Sequence, residues 1–322
     1  MKKQLINTAN AVAVANQENN MEKEISGVIV VNKPQGITSH DVVFKMRKLF
    51  MTKKVGHTGT LDPMATGVLP ILVGRSAKAA EYLLSNDKAY EAKIKLGITT
   101  DTEDITGKIL TKCDTLPTKT EFFAVCEKFK GELLQTPPMY SALKVNGQKL
   151  CDLARQGIEI ERAPREIFIK SLIPEVIDEQ NGEYSLKVEC SKGTYIRTLC
   201  ADIGKALGCG GVMSALNRTK SGNFDISLSY TIEQLENMSY DDRAEALIPT
   251  EKLFAELENV ILPDFYAKLF KSGCEIYQYK IKTAHPVDSF VRVSDKNGFF
   301  ALGKVMNFEG GTAIKSVKMF VI

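Results

Sequence analysis

The chain contains no tryptophan and only three histidines in 322 residues. Those histidines, at 40, 57 and 285, stand at no ligand spacing from one another or from cysteine, so no metal site is expected. The seven cysteines are odd in number and scattered, with no CxxC pair. That pattern excludes a disulfide framework and fits reduced thiols in the cytoplasm. Long apolar runs are also missing: Lys, Gly or Pro interrupts each of them well short of the roughly 20 residues that cross a bilayer. A soluble, cytoplasmic protein with no membrane partner is expected. Net charge is nearly absent, at +3. It is too small to argue for a nucleic-acid partner, so the position of the charges has to make that case.

What is present has the size of one large domain plus a small one. Residues 1–24 start basic and carry an AVAVA run shorter than the roughly 7 to 15 apolar residues of a signal-peptide core. They read as a disordered extension, and Met21 offers an alternative start, because the first strand-like run begins only at Ile25. ISGVIVVN (25–32) is a short buried strand ending in the turn KPQG. Thr38 with Asp41 then forms a capping box for a helix whose apolar side is Val42, Val43, Met46, Leu49 and Phe50. Residues 76–85 look helical. AYEAKIKL (89–96) and YSLKVEC (184–190) alternate as half-buried strands, and Cys190, like Cys126 elsewhere, falls on an apolar stripe. Thr118 and Glu121 cap a second amphipathic helix, ended by Gly131. SKGTYIRTLCADIGKALG turns at Gly193 into a helix closed by Gly208. Strands and helices mix without the steady alternation of a doubly wound sheet, so the class is α+β. Residues 135–167, rich in Lys and Arg, read as an excursion from the core. From about 252 the pattern becomes short β-like runs with turn residues between them, a small all-β module.

Within GHTGTLDPMATGVLP (56–70) stands one carboxylate, Asp62. Taken alone, Asp before Pro is a turn signal. Yet Gly56, Gly59 and Gly67 let backbone and ligand approach closely, His57 adds a planar polar ring, and the basic stretch 45–54 leads into the loop. A lone acid in such a loop suits a nucleophile or base acting on a polyanion. The stretch lacks the GK[ST] of a phosphate-binding loop.

KPQGITSHDVV, GHTGTLDPMATGVLP, DKAYEAKIKLG with TDTEDITG, TPPMYSALKVNGQKL with LARQGIEIERAPR, CSKGTYIRTLCADIG and LNRTKSGNF together resemble the TruB family of tRNA pseudouridine synthases, in order from about residue 27 to the C-terminus. The cysteine in KLCDLAR, where an aromatic is more usual, is the visible departure. The resemblance implies a pseudouridine synthase fold, a mixed and largely antiparallel sheet with flanking helices, over 25–251. It further implies an RNA-clamping insertion at 135–167 and a PUA-type, barrel-like RNA-binding module over 252–322. It implies isomerisation of uridine in the T loop (position 55) of tRNA, with Asp62 as catalytic nucleophile, Arg197 pairing with it and Tyr90 stacking on the uracil. It places His57 against the target nucleotide, adds Tyr195, has Leu216 line the uracil pocket, and lets Lys33 and Pro34 support the active-site wall. By pattern alone Tyr90 is a core tyrosine, Arg197 a solvated helix residue and Leu216 a packing residue. The reaction needs no redox change, so no cofactor is expected. The expected partner is the tRNA T-arm stem-loop, approached by a monomer. Two other readings stand beside this one: a guide-RNA-dependent pseudouridine synthase, and an RNA-binding protein that folds tRNA without chemistry.

Overall fold

A computed structural model describes residues 25–83, 87–145 and 147–321, so the expected extension over 1–24 lies outside the described residues. In chain order the strands of the main body are Gly27–Lys33 (β1), Val55–His57 (β2), Thr66–Val73 (β3) and Lys88–Leu96 (β4). A small hairpin, Ile98–Thr100 (β5) with Ile109–Lys112 (β6), precedes Gly131–Gln135 (β7). A second hairpin, Lys144–Val145 (β8) with Gln148–Lys149 (β9), precedes Arg165–Asp178 (β10), Glu183–Cys190 (β11), Gly211–Ser221 (β12) and Phe224–Asp225 (β13). The large sheet runs β1-β3-β12-β4-β11-β10-β7, and only the β3–β12 contact is parallel. That contact is short, Asn217 opposite Thr66 and Arg218 opposite Gly67. Gly67 has φ +102, and a Cβ there would lie 2.3 Å from the Arg218 carbonyl oxygen, so glycine alone permits it.

Tyr90, Ala92, Ile94 and Leu96 of β4 and Tyr184, Leu186 and Val188 of β11 share one buried face. Three helices cover it: Ser39–Leu49 (α1), Lys119–Glu127 (α2) and Ile196–Ala206 (α3). Both expected capping boxes form, at Thr38/Asp41 and Thr118/Glu121. The ring of Phe122 stacks on Tyr184 at 3.9 Å. Gly131, expected to end α2, instead opens β7 at φ +88, the helix being capped at Lys128. Residues 74–83 are a 3-10 turn followed by one short helix, Ala80–Leu83.

The excursion is narrower than 135–167. Gln135 still belongs to β7, β10 begins at Arg165, and between them lie the β8–β9 hairpin and the helix Leu150–Arg155. Beyond it, Asn259–Ile261 (β14), Ile276–Tyr277 (β15), Phe290–Asp295 (β16), Gly298–Phe308 (β17) and Gly311–Met319 (β18) form a five-stranded sheet ordered β14-β16-β17-β18-β15. An all-β module was too simple an expectation, for Asp264–Lys271 is a helix whose Ala267 and Phe270 pack on this sheet. The two bodies share an apolar cluster in which Val28, Val30, Val68 and Leu72 meet Phe254, Leu302 and Phe320. No helix among the described residues is long and apolar enough to cross a membrane.

Candidate active site

The loop carrying Asp62 is fastened on both sides. Ser39, at the start of α1, accepts from the Leu61 N–H at 2.8 Å and donates to the Leu61 carbonyl at 3.1 Å. On the other side the Pro63 carbonyl accepts from the Gly36 N–H at 2.8 Å and from Lys33 Nζ at 3.3 Å. Lys33 is fully buried and also donates to the carbonyls of Pro34 (2.9 Å) and Ile37 (2.7 Å). Burial pulls its pKa down to about 8, against the opposing pull of Asp62. Lys33 thus supports the loop from behind and does not face the cavity.

Asp62 points into a cavity of about 290 Å³ lined by Tyr90, Tyr195, Arg197 and Leu216 among others. Arg197 Nε lies 3.0 Å from Asp62 Oδ2, an ion pair that joins a loop to the first turn of α3. The rest of that guanidinium is also occupied. Its Nη1 donates to the Thr102 carbonyl at 3.2 Å and lies 3.7 Å from Asp104 Oδ2, while Nη2 donates to the Tyr140 carbonyl at 2.7 Å. Arg197 is 5% exposed, so these partners are what make a buried guanidinium tolerable. Burial pushes the Asp62 carboxyl above its ordinary value, Arg197 draws it down and Asp104 adds to the rise. The result is a partly exposed carboxylate, held in one place and open to the cavity.

Tyr90 stands opposite Arg218 in the β4–β12 register, and Leu216 stands opposite Ala92, so Leu216 and Arg218 share the cavity face of β12. Tyr195 caps α3 from outside, and Gln135 grips its backbone twice, accepting from the Tyr195 N–H at 2.8 Å and donating to its carbonyl at 3.0 Å. Burial pushes the phenols of Tyr90 and Tyr195 up. His57 ends β2, half-buried and outside the residues that line the cavity; burial, then Arg218, lowers its pKa.

Five expected residues therefore meet around one cavity: Asp62, Tyr90, Tyr195, Arg197 and Leu216. Lys33 buttresses it, and His57 stands apart. Arg218, Lys88, Tyr140 and Asp104 were not singled out from the sequence, although Arg218 follows Leu216 by two within LNRTKSG, the spacing that puts both on one face of a strand. Among the described residues no cluster of His, Cys, Asp and Glu could hold a metal ion.

Residues 47–196 match the TruB family pseudouridylate synthase N-terminal domain, and residues 197–264 match the tRNA pseudouridylate synthase B C-terminal domain. The chain is 44% identical over 281 residues to the tRNA pseudouridine synthase B of Clostridium tetani, covering 87% of this chain and 96% of that protein. It is 45% identical over 285 residues to the protein of the same name from Alkaliphilus oremlandii, covering 88% and 94%. Among solved structures it is similar to a chain in the crystal structure of a Cbf5-Nop10-Gar1 complex, with a TM-score of 0.67 and 25% identity over 92% of this chain and 85% of that one.

Proposed function

The chain belongs to the TruB family of pseudouridylate synthases, and from that premise we propose that it isomerises a uridine in the T loop of tRNA, with Asp62 as nucleophile. It is an enzyme, a tRNA pseudouridine synthase like its relatives. The finer reading rests on one observation, the Asp62–Arg197 pair at 3.0 Å inside a cavity walled by Tyr90, Tyr195 and Leu216.

The reaction breaks the N1–C1′ bond, turns the base and joins C5 to C1′, so the pocket has to hold a detached base near the sugar. A uridine engaged in the RNA stack cannot enter, and flipping it out costs a few kcal/mol, offset in part by packing on a ring. Tyr90 supplies that ring and Leu216 the apolar wall. Asp62 attacks only when ionised. Enclosure opposes ionisation, and Arg197 restores it while fixing the carboxylate's direction. Tyr195 orders the entry to α3, and His57, beside the cavity, packs against the target nucleotide. Affinity for the tRNA is spread over phosphate contacts from the basic stretch 45–54, the excursion and the C-terminal sheet. In that last body Lys271 and Arg292 are taken up by Asp295 and Glu251, and Lys296, Lys304, Lys315 and Lys318 by other carboxylates, while Lys268, Lys280 and Lys282 are exposed and available to RNA.

Tritium release from C5-labelled uridine in a T-arm stem-loop RNA tests the reading. The wild-type chain is expected to release the label at that uridine, and Asp62→Asn is expected to abolish release while RNA binding is largely kept. Turnover by Asp62→Asn within about tenfold of wild type would overturn the nucleophile assignment.

A further inference from the structure

The cavity has two unlike halves. One is the Asp62–Arg197 pair; the other is built from cations. Arg218 comes from the middle of β12 and is 1% exposed. It donates only to neutral oxygens: the Val68 carbonyl at 2.7 Å, the Gly59 carbonyl at 3.2 Å and the Tyr90 phenol. Among the described residues no carboxylate pairs with it. A buried cation without a counter-charge is unfavourable until an anion arrives. Lys88 lies two residues before Tyr90 on β4, hence on the same face, and lines the same cavity. Among its neighbours Arg218 acts most strongly on its charge, followed by Cys190, Asp87 and Lys192.

Between the two cations sits Gly59, at φ +101. A Cβ built there would lie 3.7 Å from Arg218 Nη1 and 3.7 Å from Lys88 Cε. The missing side chain therefore keeps a gap open between two positive groups, at contact depth, in the wall of the pocket.

We propose that Arg218, Lys88 and the Gly59 gap form a phosphodiester cradle, which grips one backbone linkage of the flipped-out nucleotide while its sugar and base face Asp62. This rests on the reading of the chain as an RNA uridine isomerase and adds a subsite to it. Holding the linkage fixes the ribose relative to Asp62, so the cradle contributes to orientation as well as to affinity. Arg218 also bonds the Gly59 carbonyl and Tyr90. Loading the cradle therefore draws together the turn that leads into the Asp62 loop and the ring that packs on the base.

The test uses two T-arm stem-loop RNAs, each with a single neutral methylphosphonate, on the 5′ or the 3′ side of the target uridine, beside the all-phosphate RNA. Wild type is compared with Lys88→Met, whose fold is checked by circular dichroism and melting temperature. One neutral linkage is expected to lower wild-type kcat/KM by roughly tenfold or more, the size of a lost charge-assisted hydrogen bond. The same RNA is expected to lower that of Lys88→Met by less than about threefold, because the partner is already gone. Lys88→Met is also expected to bind the all-phosphate RNA with a salt slope about one unit shallower. Neutral linkages tolerated within about twofold at both positions, or losses that simply multiply with an unchanged salt slope, would overturn the cradle. If wild type fails to isomerise the all-phosphate RNA, the synthase reading fails on its own, and the salt slope still decides the cradle.

Discussion

Arg197 makes four contacts at once, two to carboxylates and two to carbonyls, and each limits where Asp62 can be. Such an arginine both sets the charge state of the acid and aims it. The acid side of the kcat/KM profile is therefore expected to lie above the ordinary carboxylate value, since burial raises Asp62 and activity is lost as pH falls through the raised pKa. Replacing Arg197 by Met removes the group that draws Asp62 down, so the residual activity should fall off at a higher pH than in wild type, with kcat much reduced. A pH–rate profile checks both effects, and an unshifted acid limb would show that the pair has no electrostatic role. At this scale Asp62 is legible from its glycine-rich loop, while its partners are legible only through motif resemblance. Periodicity makes Arg197 a solvated helix residue, and nothing local in sequence says that the Thr102 and Tyr140 carbonyls will close around it. Arg218 was within reach of pattern reasoning, but only once LNRTKSG is recognised as a strand.

At the scale of elements, the loop that carries Asp62 is positioned by its two ends. Ser39 clamps Leu61, while Lys33 and Gly36 clamp Pro63. Ser39→Ala leaves a buried N–H and C=O without their side-chain partner, a loss of about 1–3 kcal/mol. Thermal or urea unfolding measures that loss, and turnover is expected to fall through kcat with KM little changed. Lys33 adds a pH dependence. Its pKa of about 8 means that the ammonium begins to lose a donor above that pH, with three carbonyls still to satisfy. An alkaline decline in kcat near pH 8 is expected, and Lys33→Met, with lower kcat throughout, should lack it. Stability moves the other way: a lysine depressed by burial penalises the folded state fully below pH 8, and that penalty fades as pH rises from 8 towards the ordinary 10.5. The elements that could be read in advance were those with local signals, namely the capping boxes at Thr38 and Thr118 and the alternating strands β4 and β11. The capping boxes at Thr231/Gln234 and Ser239/Asp242 carry the same local signal on two short helices. Strands β3, β10 and β12 lack clean alternation because each meets different neighbours along its length. β3 is buried on both faces, and β12 bulges twice against β4.

At the scale of the whole molecule, the C-terminal sheet is bound to the main body by more than a linker. Leu302 and Phe320 are buried against Val28, Val30, Val68 and Leu72 on the side of β1 and β3 away from α1. Around this cluster Lys318 pairs with Glu81 at 2.6 Å and Lys78 donates to the Met319 carbonyl at 3.1 Å. Composition alone suggests a detachable module whose loss would mainly raise KM for tRNA. The shared core argues otherwise, because β1 ends in Lys33 and β3 begins just after the Asp62 loop, so the strands that lose their cover are those that hold this loop in place. Leu302→Ala is expected to destabilise the chain by about 2–5 kcal/mol, as a buried leucine truncation does. Unfolding should remain a single transition, because one apolar cluster spans both bodies. A chain ending near Thr250 should melt lower or aggregate and lose kcat as well as affinity. Calorimetry on the full chain, Leu302→Ala and the truncation, with kcat and KM for the same T-arm RNA, decides the matter. Two separate transitions in the full chain, or a soluble truncation with unchanged kcat and only a raised KM, would show that the C-terminal sheet is a binding module and no support for the site.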